Sequence, residues 1–326
     1  MQNIGKCLYE QCLINNIDLN SNQSIHLSIV NQPFLDYILN GKKTIESRFT
    51  MNRCSPYKKI KRGDIVFIKD SGKKIVAYFI VRSVEFYENQ GGVFNEIKSL
   101  YSEDICGYDE TFWEQREHKK YISLIWIDKV VRIEPFSIEK KDKRAWVDFK
   151  IRKPKMLILI SGEIGAGKTF YATRLAKQYK TQRNSFSDYI KFICKNKNME
   201  ITRQNLQLIG QDIILNDFEN FMKYCMVTAA ISNNDLGIID GLRHVKVLNF
   251  FKYNIPNTIL VYVDTEYNRR CKNITNRDGK IEISTFNNET EREIQSLKCL
   301  SDIVITEQTE FDELIKLINC KGINTL

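Results

Sequence analysis

The sequence predicts a two-domain chain of mixed α/β class, a β-barrel followed by a parallel sheet flanked by helices. Three observations carry this. With 326 residues, the chain exceeds one compact domain and suggests roughly two units of about 150 residues. Its first half reads as short runs of branched and aromatic residues separated by polar turns, a β grammar. From Met156 it changes to apolar runs alternating with amphipathic helical patterns, as in a parallel sheet buried on both faces.

Residues 1–24 are rich in Asn and Gln and end in Asn20-Ser21-Asn22-Gln23-Ser24, which reads as an N-terminal extension with at most a short helix. The β domain is expected over residues 25–135. Strands are predicted at Ile25 to Val30, Thr44 to Thr50, Asp64 to Lys69, Lys74 to Val84 and Tyr121 to Arg132. Pro33 to Asn40 should be a short helix, with Pro in its first turn and Gly41 just past its end. Phe94 to Tyr101 and Asp109 to His118 fit two more. The charged run from Glu139 to Arg144, with Arg152-Lys153-Pro154-Lys155 beyond it, reads as a solvated linker over residues 136–154.

The second domain is expected over residues 155–326. Met156 to Ile160 is an uninterrupted apolar strand. The helix starting near Lys168 puts Tyr171, Ala172, Leu175, Ala176 and Tyr179 on one face. Further strands fit Gly237 to Ile239, Thr258 to Val263 and Ile303 to Thr306. Helices fit Ser187 to Lys195, Arg203 to Leu215, Phe218 to Ile231 and Phe311 to Ile318.

Composition sets the broad class. Apolar residues make up 43% and charged residues 27%, with 15 Gly and 5 Pro, which excludes a disordered or collagen-like chain. The formal charge of +9 favours anionic ligands without choosing between nucleotides and RNA. Nine Cys without a Cys-x-x-Cys pair read as reduced thiols, and three scattered His argue against a zinc site. No apolar run is long enough to span a membrane and the N-terminus has no signal-peptide core, so a reducing cytoplasm is expected.

The most specific motif is Gly162-Glu163-Ile164-Gly165-Ala166-Gly167-Lys168-Thr169, which satisfies Gly-x-x-x-x-Gly-Lys-[Ser/Thr] between the strand and helix that the rule requires. Successive backbone N–H groups of such a P-loop, with the helix N-terminus behind them, wrap a β-phosphate. Lys168 is expected to bridge the β- and γ-phosphates of ATP, and the Thr169 hydroxyl to ligate Mg²⁺. Asp240, ending an apolar strand, should reach the phosphates or the magnesium shell. The segment shows no Asn-Lys-x-Asp guanine motif and no motor signature, so a small kinase is the economical reading.

Around this loop the chain resembles the nucleoside monophosphate kinase group, in particular phage deoxynucleoside monophosphate kinases and dephospho-coenzyme A kinase relatives. The matching pieces are Ile160 to Thr169, Ser185 to Lys191, Thr202 to Gly210, Ile238 to Arg243, and Arg269, Arg270 and Arg277 after the Val261 to Asp264 strand. The resemblance implies that Asp188, Arg203 and Arg243 hold the acceptor, the arginines by paired hydrogen bonds to its phosphate. It also implies that Arg269, Arg270 and Arg277 belong to a lid that stabilises the phosphoryl group in flight. Asp302 to Ile305 resembles the family's last strand.

In the first half, Gly41 to Phe49 followed by Ile60 to Phe67 resembles the ASCH domain, a β-barrel of the PUA-like group linked with RNA binding. One branch of that family hydrolyses an acylated cytidine nucleoside with a Lys, a Thr and a Glu. Strand alternation puts Thr44, Glu46 and Arg48 on one face with Lys43 at its edge, implying a polar ligand cleft. Lys43 matches the catalytic Lys, but Glu46 stands where the hydrolase branch has its Thr, which favours a binding module for a base, a modified nucleoside or RNA. A salt bridge among Lys43, Glu46 and Arg48 is the plain alternative. Most of the aromatic residues here are expected to fill the barrel core, with Trp113 and Tyr57 the better candidates for exposure and stacking on bases.

The expectation is therefore a nucleoside monophosphate kinase using ATP and Mg²⁺, joined to an ASCH-like module. A polynucleotide 5′-kinase and a non-enzymatic, nucleotide-switched RNA-binding regulator are the alternatives the residues leave open.

Overall fold

A computed structural model describes residues 4–20, 23–140, 144–231, 235–278 and 289–322. They form two compact units, Met1–Ile151 and Arg152–Leu326. Among the described residues, no helix is long and apolar enough to cross a membrane.

The first unit is built from α1 (Ile4–Ile14), β1 (Ser24–Val30), α2 (Phe34–Leu39), β2 (Ile45–Thr50), β3 (Ile65–Asp70), β4 (Ile75–Glu88), α3 (Val93–Ile105), α4 (Glu110–Glu114), β5 (Tyr121–Phe136) and β6 (Trp146–Lys150). Its six strands make one mixed sheet in the order β2-β5-β4-β3-β1-β6. Only β1 and β3 run parallel. The register of β4 against β5 slips at three places, and such bulges raise local twist and curl a long pair. The sheet is thus a curled half-barrel. The residues Val66, Ile68, Ala77, Phe79, Val81 and Ile125 fill one core with Leu35 and Ile38 of α2. A second core forms where α3 and α4 bring Phe94, Ile97 and Trp113 against Ile45, Ile122 and Leu124.

Two expectations change here. Residues 146–150, inside the stretch read as linker, form β6 and pair antiparallel with β1; Trp146, Val147 and Phe149 are buried. The strand is only five residues long and stands next to a charged run, so its pattern was swamped; Lys141 to Lys143 lie outside the described residues. The extension also belongs to the fold. Ile4, Leu8, Tyr9 and Cys12 of α1 are buried, and Gly5 lies so close to Phe149 that a Cβ would fall 2.6 Å from its ring.

The second unit contains β7 (Met156–Ser161), α5 (Lys168–Gln178), β8 (Arg183–Ser185), α6 (Ser187–Asn196), α7 (Arg203–Asn216), α8 (Phe218–Ala230), β9 (Leu236–Leu242), α9 (Val245–Asn254), β10 (Asn257–Val263), α10 (Tyr267–Asp278), α11 (Glu289–Cys299), β11 (Ile303–Ile305) and α12 (Phe311–Gly322). The strands form an all-parallel sheet in the order β11-β10-β7-β9-β8. On one face Ile158, Ile160, Ile238, Val261 and Ile303 pack against Ala172, Leu175 and Ala176 of α5 and Leu314 and Ile318 of α12. Every residue of β7 is buried, which explains its unbroken apolar pattern. The glycine-rich loop at residues 162–167 leaves the carboxyl end of β7, the central strand of this sheet.

Candidate functional site

The glycine-rich loop joins β7 to α5. Gly162 has φ +144° and a Cβ there would sit 2.5 Å from the Val263 carbonyl oxygen; Gly165 has φ +80° and would meet the Arg270 carbonyl oxygen at 2.6 Å. Only glycine fits these two positions. Lys168 Nζ donates to the carbonyl oxygens of Gly162 at 2.7 Å and Glu163 at 2.8 Å, which holds the ammonium over the loop.

Asp240 lies opposite. The register of β7 against β9 steps from Ile160↔Asp240 to Ser161↔Leu242, so Gly241, with φ +86°, forms a bulge. Ser161 Oγ donates to the Leu242 carbonyl at 2.8 Å and the Phe186 N–H donates to the Asp240 carbonyl at 3.1 Å, which fix the bulged strand end. The Asp240 side chain is 3% exposed. Its Oδ2 accepts from Thr169 Oγ1 at 3.0 Å and from an Arg183 Nη at 2.8 Å, while its Oδ1 is buried without a hydrogen-bond partner. A buried carboxylate oxygen with unused lone pairs, beside a threonine hydroxyl at the N-terminus of α5, is a hard-oxygen set suited to Mg²⁺ and its waters. The residues present therefore fit the expected metal.

A cleft of about 1630 Å³ runs from this loop to the α6–α7 side. Arg243, Lys191, His244 and the amides of Gln204, Gln207 and Gln211 line it together with Lys168, Thr169 and Asp240. Positions 204, 207 and 211 follow helical spacing, so one face of α7 presents three amides. These glutamines were not singled out from the sequence; their i, i+3, i+7 pattern was the available signal. His244 is oriented by Glu293, which approaches Nδ1 at 2.8 Å and accepts the Val245 N–H at 2.7 Å.

The acceptor-side expectations separate. Arg243 lines the cleft. Asp188 accepts the Ser185 N–H at 3.1 Å at the start of α6 and is not among the lining residues, so its position matches a local helix-start role. Arg203 begins α7, and its side chain lies outside the described residues.

The three lid arginines separate too. Arg269 is exposed and lines the cleft. Arg270 is 7% exposed and its guanidinium meets the Glu163 carboxylate at 3.1 Å, clamping the loop from below. Asn273 and Thr265 add hydrogen bonds to the carbonyls of Gly165 and Ala166, at 2.8 and 3.0 Å. One residue along a helix turns a side chain by about 100°, which is why these neighbours face different surroundings. The Arg277 side chain lies outside the described residues.

In the first unit, Lys43, Glu46 and Arg48 come together. Glu46 is buried, 3.7 Å from Lys43 Nζ and 2.9 Å from an Arg48 Nη. Lys43 also donates to the Ile105 carbonyl at 2.8 Å. Burial holds its ammonium below its ordinary pKa, with Glu46 opposing that shift. Arg48 reaches from β2 to Ser28 Oγ at 2.6 Å and the Ile29 carbonyl at 2.9 Å on β1, and its guanidinium lies 5.0 Å from the Trp146 ring centroid. Since β2 is an edge and β1 stands fifth in the sheet, this one side chain spans the mouth of the half-barrel. Arg116, missed in the sequence, sits over Phe112 at 3.8 Å, and its pKa is lowered by burial and by the nearby Arg48 charge.

Thr44 does not join this group. It is exposed and its hydroxyl bonds the Asp104 carboxylate, because the strand starts at Ile45 and alternation does not reach back to it. Trp113 and Tyr57, expected to be exposed, are 2% and 4% exposed. Trp113 packs edge-on against Phe49, Phe94 and Phe112, and donates to the Gly107 carbonyl at 2.8 Å. The network is anchored below by His26. Its Nδ1 accepts from Trp146 Nε1 at 3.1 Å, so its Nε2 donates to Asp64 at 3.0 Å.

The chain thus joins a curled half-barrel to an all-parallel sheet that carries a P-loop motif. The family model described as ASCH domain matches residues 28–153. An ASCH structure from Zymomonas mobilis is similar over 36% of this chain and 76% of its own, at 16% identity and TM-score 0.29. Shikimate kinase from Aquifex aeolicus is similar over 51% of this chain and 95% of its own, at 16% identity and TM-score 0.33. A sugar kinase from Janibacter sp. is similar over 51% and 94%, at 13% identity and TM-score 0.29. The search of curated proteins found no match.

Proposed function

We propose that the second unit transfers the γ-phosphoryl group of ATP to a nucleoside monophosphate, and that the ASCH domain binds a nucleobase, nucleoside or RNA. The observation that carries the first part is the shared cleft. Single small-molecule sites usually occupy about 300–1,000 Å³, and a cleft of about 1630 Å³ has room for a donor and an acceptor. The loop with Lys168 supports a triphosphate on one side. On the other, Arg243 and Lys191 suit an acceptor phosphate, and the three α7 amides, each donor and acceptor, suit a base edge.

Catalysis in this reading is positioning and charge neutralisation. Lys168 leaves its carbonyl partners to bind the β- and γ-phosphates. Thr169 and Asp240 would hold Mg²⁺, which would supply charge neutralisation for the transferring group. Arg269, on the cleft rim, approaches the phosphoryl group from the α10 side, and Arg243 aligns the acceptor.

For the ASCH domain, the Arg48 guanidinium over Trp146 and the buried Lys43–Glu46 pair support ligand binding. The engagement of Thr44 with Asp104 favours binding over amide hydrolysis.

The test is labelled ATP with magnesium and a panel of ribo-, deoxy- and modified monophosphates, together with an RNA carrying a 5′-hydroxyl. Label transferred to a monophosphate supports the proposal. Transfer to RNA alone would replace it with a polynucleotide kinase, and ATP binding without transfer would leave a nucleotide-switched regulator.

A further inference from the structure

Arg183 makes an ion pair with Asp240 at 2.8 Å, in the place where the metal site is expected to form. The parallel register sets Arg183 beside Ile238 and Ser185 beside Asp240, so Arg183 starts two residues below the carboxylate on the same face of the sheet. At about 3.3 Å per residue, only a long side chain closes that gap. β8 is the sheet edge and the Arg183 side chain is 34% exposed. A guanidinium free to point into solvent is instead turned inward onto a carboxylate that is 3% exposed.

The electrostatic consequence concerns how a metal can enter. Arg183 pairs with the Asp240 carboxylate, and a second cation, Lys168, lines the same cleft. A divalent ion arriving by itself meets a carboxylate whose charge is already balanced, next to like charges that repel it. A divalent ion arriving on a triphosphate brings its own negative charge, and Lys168 then has phosphate to bind.

We propose that Arg183 is a positioning residue that reserves Asp240 for a metal carried in on a nucleotide and suppresses binding of the metal alone. This rests on the reading of the cleft as a metal–nucleotide site. A purely structural Arg183, tying β8 to β9, would not alter metal affinity in the way described below.

The test uses the full chain and Mn²⁺, followed by electron paramagnetic resonance, with and without a non-hydrolysable ATP analogue. Wild type should bind Mn²⁺ weakly alone and at least tenfold more tightly with the analogue. Arg183→Gln should bind Mn²⁺ alone at least tenfold more tightly than wild type, so that the analogue adds less. Arg183→Gln/Asp240→Asn should lose that gain, and Arg183→Lys should behave as wild type. Arg183→Met, which keeps the aliphatic stem, serves if the Gln variant fails to fold. Equal affinity for Mn²⁺ alone in wild type and the neutral variants, with wild type still binding the metal–analogue pair, would overturn the proposal. A tenfold gain in Arg183→Lys would overturn it as well. Failure of wild type to bind the analogue with Mn²⁺ would instead defeat the underlying reading of the cleft.

Discussion

The Arg270 guanidinium meets the Glu163 carboxylate at 3.1 Å, tying the start of α10 to the glycine-rich loop, while its neighbour Arg269 is exposed at the cleft. The two arginines should therefore fail differently. Arg270→Ala leaves a partly buried carboxylate behind and should cost about 1–3 kcal/mol of stability, with weaker nucleotide binding. Arg269→Ala should change stability by less than about 0.5 kcal/mol yet lower turnover on the order of 10²-fold. Thermal melts and steady-state kinetics on both variants separate the roles; matching losses of stability would contradict this assignment.

Lys168→Ala should preserve the fold and lower turnover by about 10²-fold or more, because it removes charge needed mainly in the transition state. Gly165→Ala should act earlier. Its Cβ would meet the Arg270 carbonyl oxygen at 2.6 Å in a left-handed conformation, so the loop must shift and ATP binding itself should be lost. Calorimetry with ATP and magnesium distinguishes the two.

Arg243 and Asp188 were expected to share a task, and their surroundings divide it. Arg243→Ala should raise the acceptor KM about tenfold or more, leaving the KM for ATP near wild type. Asp188→Ala removes the acceptor of the Ser185 N–H and should cost about 1 kcal/mol of stability. An acceptor KM unmoved by Arg243→Ala would remove that residue from the site.

Lys43 gives the ASCH domain a signature at alkaline pH. Burial lowers its folded pKa below the ordinary 10.5, so between those two values the unfolded chain binds more protons. Stability must then rise with pH across that window. All three tryptophans, Trp113, Trp126 and Trp146, lie in the first unit, so their fluorescence follows its unfolding alone. Denaturant titrations should show the rise in wild type and its loss in Lys43→Met; identical pH profiles would exclude Lys43 as its source.

Much of the architecture was legible in the residues. The apolar run at β7, the glycine spacing of the loop and the amphipathic face of α5 are local patterns, and each appears where the pattern put it. The five strands read in the first half are present too, with ends shifted by up to four residues. Short elements were lost: β8 has three residues and β6 five, too few for alternation to stand out. Exposure was misjudged for Trp113 and Tyr57 because the packing of α4 and of the loop before β3 decides it, and neighbours in sequence do not.

Local sequence determined the backbone of this protein: where glycine must turn, where a strand is buried on both faces, where a helix begins with a lysine and a threonine after a glycine-rich loop. Those features depend on residues within a turn or two of each other. The tertiary structure alone decided which charge faces which. Arg183 reaches Asp240 across 57 positions, Arg48 reaches Ser28 across 20, and Lys43 reaches Ile105 across 62. Such pairs follow from strand order and register, which collect the contributions of the whole sheet.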